Sequence, residues 1–104
     1  MALSSQQIRY LRGLTHNLQP VVMVADKGLS DTVLAEIEGA LKHHELIKLK
    51  LRADREVRKH WIDEISRLCK AEAIHVIGQV ACFYRRNPKK PVIALPGDKA
   101  SSAA

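Results

Sequence analysis

The chain has 104 residues, 46% hydrophobic and 4% aromatic, and its 17 Lys and Arg against 11 Asp and Glu give a formal charge of +6. This length fits one domain, and the apolar fraction is too high for a disordered chain. No apolar run is longer than Val21 to Ala25, which is too short to cross a bilayer, and the N-terminus lacks the pattern of an export signal. We therefore expect a cytoplasmic protein with one domain over residues 1–96 and a disordered tail over 97–104.

The first two predicted elements are a helix and a short strand. Ser4 and Gln7 have the spacing of a capping box, and apolar residues follow at helical intervals from Ile8. Pro20 prevents the helix from continuing, and the apolar run Val21–Val24 after it is typical of a buried strand.

A second helix and a second strand follow a short turn. Ser30 suits the helix N-cap, and an apolar stripe of helical period runs from Val33 to Leu41. Residues 46–52 then alternate between apolar and basic side chains, which predicts a strand with one buried face and one wet, basic face. The apolar set is Ile47, Leu49 and Leu51, and the basic set is Lys48, Lys50 and Arg52.

The remaining elements are a third helix and a hairpin. The helix is predicted from about Asp54 to Lys70, and strands at Ile74–Ile77 and Val80–Tyr84 flank a two-residue turn at Gly78-Gln79. After a basic loop, Val92–Leu95 could add a short strand.

The predicted order is therefore α-β-α-β-α-β-β. Strand–helix–strand units favour parallel pairing with right-handed crossovers, whereas the hairpin must be antiparallel. A basic face on the second strand places the helices mainly on the other side. The predicted fold is an α/β domain of two layers, with a four-stranded mixed sheet and three helices.

The sequence offers little support for catalysis, metal binding or any other cofactor. Cys69 and Cys82 have no C-x-x-C spacing and lie among apolar residues, so we expect two buried thiols in a reducing compartment. His43-His44-Glu45 is better suited to the end of a helix than to a ligand set. The acidic residues lie mostly on polar helix faces, so no carboxylate pair suggests acid–base catalysis. No H-E-x-x-H helix, G-x-S-x-G elbow or phosphate-binding Walker loop is present.

The positive charge is concentrated in two segments. Residues 42–60 carry seven basic and three acidic side chains, and residues 85–104 carry five and one. If the fold joins these segments, they form a surface suited to a polyanion; otherwise the charge serves solubility. The only aromatic residues are Tyr10, Trp61, Phe83 and Tyr84. Because they form no base-stacking motif, nucleic-acid binding would depend on phosphate contacts.

The turn Ala25-Asp26-Lys27-Gly28 is the most informative local motif. It lies between a predicted strand and a predicted helix N-terminus, where free N–H groups favour phosphate. Lys27 supplies a mobile cation, and Gly28 allows a positive φ or a close backbone approach. An ordinary strand-to-helix turn can also contain one glycine, so the turn alone leaves both interpretations open.

Several short segments, taken together in chain order, resemble one family. They are Leu11–His16, Pro20–Val22, Lys27–Leu29, His43–Lys50, Val76–Gln79 and Phe83–Arg85. Together they resemble the CRM domain (chloroplast RNA splicing and ribosome maturation) in its bacterial stand-alone YhbY form, over about residues 3–96. The resemblance implies a fold similar to the C-terminal domain of bacterial translation initiation factor three. It also implies RNA binding and association with precursors of the large ribosomal subunit.

The family's GxxG loop aligns on Ala25-Asp26-Lys27-Gly28, with Ala25 in place of the first glycine. The resemblance therefore implies that Lys27 and Gly28 contact the RNA backbone. The full set of predicted RNA-binding residues is Ala25, Asp26, Lys27, Gly28, Lys48, Lys50, Arg52, Arg12, Lys42, Arg85, Arg86, Lys89 and Lys90.

The functional expectation is a monomeric, non-enzymatic protein that binds ribosomal RNA in precursor large subunits and assists their assembly, without a cofactor or a membrane. The alternative is a small adaptor that docks on a ribosomal or other protein through its sheet. Salt separates the two, because phosphate-driven binding weakens steeply with salt and an apolar interface does not. A minor RNA-processing enzyme is a third hypothesis, but it lacks an acid–base pair.

Overall fold

The computed structural model describes residues 3–97, in which helices and strands follow the predicted order. The helices are α1 (Ser5–Leu14), α2 (Asp31–His44) and α3 (Arg55–Cys69), with a 3-10 turn at Thr15–Asn17. The strands are β1 (Pro20–Val24), β2 (Leu46–Leu51), β3 (Glu72–Ile77) and β4 (Val80–Tyr84). The predicted disordered tail begins at Gly97, and its residues 98–104 lie outside the described residues.

Each helix begins where its capping residue predicts. Ser4 and Gln7 form a reciprocal capping box at α1, as expected from their spacing. The Ser30 hydroxyl accepts a hydrogen bond from the Val33 N–H at 3.2 Å, so α2 starts at the predicted N-cap. At α3 the Asp54 carboxylate plays the same role.

The four strands form one mixed sheet in the order β1-β2-β4-β3. Strand β1 pairs parallel with β2, whereas β4 pairs antiparallel with both β2 and β3. The central strand β2 is therefore hydrogen-bonded on both sides. This arrangement confirms the predicted four-stranded mixed sheet with three helices.

The main core lies between one face of this sheet and helices α2 and α3. It contains the predicted apolar set of β2 together with Val24, Phe83 and helix residues such as Ile37 and Ile65. All these side chains are almost fully buried. The period-two pattern of β2 thus positions its two lysines, Lys48 and Lys50, away from this core.

Helix α1 packs on the opposite face of the sheet, over one half of it. Leu11 is fully buried against Leu46, Ile74 and Tyr84, which point away from the main core. The face of β2 that carries the lysines begins with Leu46, and this apolar start lets α1 cover that end. The expected two layers hold only over the other half, because α1 adds a third layer here.

The segment after β4 is not a strand, in contrast to the expectation for Val92–Leu95. Its N–H groups bond to a side chain instead of a sheet edge. The carboxylate of Glu45 accepts hydrogen bonds from the backbone N–H of Asn87 at 2.6 Å, Val92 at 2.8 Å and Ile93 at 2.7 Å. Glu45 ends α2 with a φ of 64° and is fully buried. It anchors this segment to the domain.

Candidate nucleic-acid interface

The loop Ala25–Gly28 forms a closed turn at the carboxyl end of β1. The Gly28 N–H donates to the Ala25 carbonyl at 2.8 Å, and Gly28 has a φ of 64°. This conformation favours glycine, because a Cβ is disfavoured there. A Cβ at Gly28 would lie 3.7 Å from the Trp61 Nε1, so the loop rests on the indole of α3. The predicted use of Gly28 for a positive φ is confirmed.

Three chain segments meet at this end of the sheet because β1 and β2 are parallel. The Arg52 N–H donates to the Val24 carbonyl at 2.8 Å, and the Leu51 N–H donates to the Gln79 carbonyl at 2.6 Å. These bonds bring together the loop, the start of the β2–α3 connection and the β3–β4 turn. The shallow depression between them is lined by Ala25, Asp26, Arg52, Ala53 and Gln79.

The positive charge at this end of the sheet comes from side chains rather than from the N-terminal ends of the helices. Lys27 and Arg52 are exposed. Helices α2 and α3 both begin here, but each is capped by its own side chain and carries an acidic residue in its first turn. Asp26 adds a negative charge on the loop. An anion at the depression would therefore depend chiefly on Lys27 and Arg52.

Arg58 is a further cation at this end, and it is absent from the set of RNA-binding residues predicted from the sequence. Its Nη1 donates to the Ala53 carbonyl at 2.7 Å, beside the depression. Long side chains on a helix point back toward its N-terminus, and Arg58 lies in the first turns of α3. That directional rule is the signal that could have identified it.

Lys48 and Lys50 lie on the sheet face opposite α2 and α3, as predicted. Register places Met23, Lys50, Val80 and Ile77 in one row across the four strands. We call Lys48 and the residues of this row the open face. Met23 is 52% exposed and Ile77 is 63% exposed, because α1 covers only the other half. The open face is thus both basic and apolar.

The other predicted basic residues lie elsewhere. Lys42, Arg86 and Lys89 line a depression at the C-terminal end of α2. Because α2 has 14 residues, its two ends are about 20 Å apart. Lys90 is exposed in the same loop, and Arg12 is exposed in the last turn of α1. The two basic segments of the sequence therefore meet at Lys42, while Arg52 lies at the opposite end of the sheet.

Arg85 has a structural role at that second end. Its guanidinium donates to the Glu38 carboxylate at 2.8 Å and to the Cys69 carbonyl at 3.0 Å. The hydrogen bond from Arg85 lowers the pKa of Glu38, and the same bond raises the pKa of Arg85. These bonds hold β4 to α2 and α3, so Arg85 is less available to RNA than the sequence suggests.

Residues 3–97 contain no group of three or more metal-ligating side chains. Cys69 and Cys82 are both buried free thiols, as predicted, and burial raises the pKa of each. A raised pKa keeps a thiol protonated and poorly nucleophilic at neutral pH. Within the same residues, no helix has the length and hydrophobicity needed to span a membrane.

Comparison with known proteins identifies the class. The CRS1/YhbY (CRM) domain model matches residues 3–85, and the chain belongs to this family. The match ends before the segment that Glu45 anchors. The resemblance noted in the sequence is thereby confirmed.

Individual relatives span almost the whole chain. An RNA-binding protein of Haemophilus influenzae is 50% identical over 95 residues, covering 90% of this chain and 95% of its own length. A probable RNA-binding protein of Pseudomonas aeruginosa is 43% identical over 90 residues, covering 86% of each. The solution structure of a Staphylococcus aureus protein, provisionally described as RNA-binding, has a TM-score of 0.77 at 29% identity. It covers 91% of this chain and 100% of its own.

Proposed function

We propose that this protein binds RNA through the Ala25–Gly28 loop and the neighbouring open face, without catalysis. The observation that carries the proposal is the juxtaposition of a glycine-permitted turn with Lys27 and Arg52 at the meeting point of two parallel strands. Such a turn lets an RNA backbone come close, and two cations can neutralise its phosphates. The names of the curated relatives support RNA as the ligand.

We further propose that the RNA is ribosomal and belongs to precursors of the large subunit, which the protein would meet in the cytoplasm as a monomer. Family membership supports this finer assignment. Crosslinking in cells followed by sequencing of the attached RNA tests it. We expect crosslinks on large-subunit precursor RNA and co-sedimentation with those particles. Crosslinks spread over messenger RNA, with no such co-sedimentation, would reject it.

A pair of substitutions at Gly28 tests the loop. Asparagine and aspartate both tolerate a positive φ and have nearly the same size, so Gly28→Asn and Gly28→Asp differ mainly in charge. We expect Gly28→Asp to bind RNA at least tenfold more weakly than Gly28→Asn, about 1.4 kcal/mol, because its carboxylate repels the phosphate. Equal affinity of the two folded variants would show that the loop is only a turn.

The chain's single tryptophan provides an internal readout for the same titration. Trp61 lies directly beneath Gly28, so RNA at the loop should change its fluorescence. The same signal reports unfolding in urea, which verifies that both variants are folded. RNA binding that leaves Trp61 unchanged would place the ligand away from the loop.

A further inference from the structure

A groove runs beside the open face, between the 3-10 turn and the edge strand β1. Its apolar wall includes Leu14, Leu18 and Val21, and its polar rim is formed by Asn17, Gln19, His44 and Lys48. Val21 is 48% exposed although it belongs to a strand. An apolar wall with a polar rim is typical of a small-ligand site rather than of an ordinary surface.

The two amides on the rim are available for binding. Asn17 and Gln19 are exposed, and within residues 3–97 neither side chain makes a hydrogen bond. An amide presents both donors and acceptors on one planar group, which matches the hydrogen-bonding edge of a nucleobase. The apolar wall would contact the face of the same base.

The groove is continuous with the proposed RNA site. Lys48 belongs both to the groove and to the open face, and Lys50 lies next along β2 toward the loop. The distance along β1 from Val21 to Ala25, where the loop begins, is about 13 Å, at 3.3 Å per residue. About four stacked nucleotides span that length at 3.4 Å each. The two lysines lie where the phosphates of such a segment would pass.

We propose that this groove binds one unstacked base of a single-stranded RNA segment whose phosphates lie along Lys48, Lys50 and the Ala25–Gly28 loop. The inference rests on the proposed function and adds the form of RNA that is bound. A duplex keeps its bases paired and stacked, so it cannot place one in the groove. The protein should therefore discriminate between bases here, although its loop contacts only the backbone.

The test uses three variants and the wild type. The first variant carries both Asn17→Ala and Gln19→Ala, the second carries Gln19→Ala alone, and the third, Gln6→Ala, is the control. Gln6 is exposed on α1 and outside the groove. The probes are short homopolymers of uridine, adenosine and cytidine, an abasic strand of equal length, and a duplex. The wild type and the control should bind at least one homopolymer about tenfold more tightly than the abasic strand.

In the double variant this preference should fall to within about twofold, with an unchanged salt slope, because no phosphate contact is removed. If the double variant does not fold, Gln19→Ala alone provides the test, because Gln19 lies outside the 3-10 turn. This single variant should lose part of the base preference. A retained preference in the variants, or wild-type binding of duplex as tight as of single strands, would overturn the inference. The double variant could instead lose a protein that co-purifies with the wild type while its base preference stays unchanged. The groove would then dock a protein, and this result would also overturn the inference. Salt-dependent binding of the abasic strand would still uphold the proposed function, whereas no RNA binding at all would remove both.

Discussion

At the scale of single residues, the fully buried carboxylate of Glu45 joins two parts of the chain that are distant in sequence. Within residues 3–97 it has no ion-pair partner and is satisfied by three backbone N–H groups. An acceptor-only group is needed, because all three partners are donors. The carboxylate thereby fixes the segment after β4 against the domain.

Replacing Glu45 by glutamine should lower the free energy of unfolding by about 2–3 kcal/mol. The new NH2 group is itself a donor, so it cannot accept a hydrogen bond from the backbone N–H that it faces. Urea denaturation followed by Trp61 fluorescence measures this change. The control Glu36→Gln removes an exposed carboxylate of α2 and should leave the midpoint almost unchanged. Equal midpoints for the two variants would show that Glu45 is dispensable.

The pair formed by Glu38 and Arg85 predicts a pH dependence. A carboxyl group whose pKa is lowered by folding stabilises the folded state above its ordinary pKa, and this contribution is lost as pH falls. Wild type should exceed Glu38→Gln in stability at neutral pH by less than about 1 kcal/mol, since Glu38 is partly exposed. The difference should shrink as pH falls below the ordinary glutamate pKa of about 4.3 and through the lowered pKa of Glu38. A difference that grows on acidification would contradict the assignment.

Residue roles could be predicted from the sequence only where the partners are local. Ser4 and Ser30 cap their helices through bonds to residues three positions away, which spacing reveals. Glu45 appears in the sequence only as the end of a helix, because its donors lie 42 to 48 residues further along the chain. Arg85 was assigned to RNA for the same reason, since its partner Glu38 is 47 residues away.

At the scale of elements, β2 divides its residues between stability and binding. Ile47, Leu49 and Leu51 are buried against α2 and α3, whereas Lys48 and Lys50 belong to the open face. Alternation along the strand made this division predictable. The position of α1 was not predictable, because crossover handedness governs helices between parallel strands and α1 precedes the first strand.

Removing the two lysines of β2 should change the salt dependence of RNA binding. For about five neutralised phosphates, the log–log slope on single-stranded RNA should be about −3.5. Lys48→Ala with Lys50→Ala should make it shallower by about 1 to 1.5 while the fold is retained. The control Lys59→Ala with Arg67→Ala, on exposed positions of α3, should leave the slope unchanged. If the two double variants have the same salt slope, the open face is not part of the RNA interface.

At the scale of the whole molecule, Lys48 and Lys50 lie between two further groups of basic residues at opposite ends of the sheet. One contains Lys27 and Arg52, and the other contains Lys42 and Lys89. Composition could reveal the excess of charge but not this separation, since residues 42–60 run from one end to the other. Only a ligand that spans the distance between the two ends can contact both groups.

RNA length should therefore decide which variants matter. We expect Lys27→Ala with Arg52→Ala to weaken the binding of short and long RNA alike. Lys42→Ala with Lys89→Ala should weaken only RNA that spans the roughly 20 Å between the groups. Electrophoretic titration with a length series measures both effects. If Lys42→Ala with Lys89→Ala also weakens the binding of the shortest RNA, the two groups act as one site.

The three donors to Glu45 also constrain which sequences this fold tolerates. Proline lacks an N–H, so it is incompatible with positions 87, 92 and 93, although Pro88 and Pro91 stand beside them. Only the Val92 side chain is otherwise little restricted, since it is exposed. Asn87 Oδ1 accepts hydrogen bonds from the N–H groups of Lys89 and Lys90, and Ile93 packs against the cluster beneath α1. Among natural relatives that retain glutamate at position 45, we expect position 92 to vary freely and all three positions to exclude proline. Relatives that lack this glutamate should accept proline at positions 87, 92 and 93.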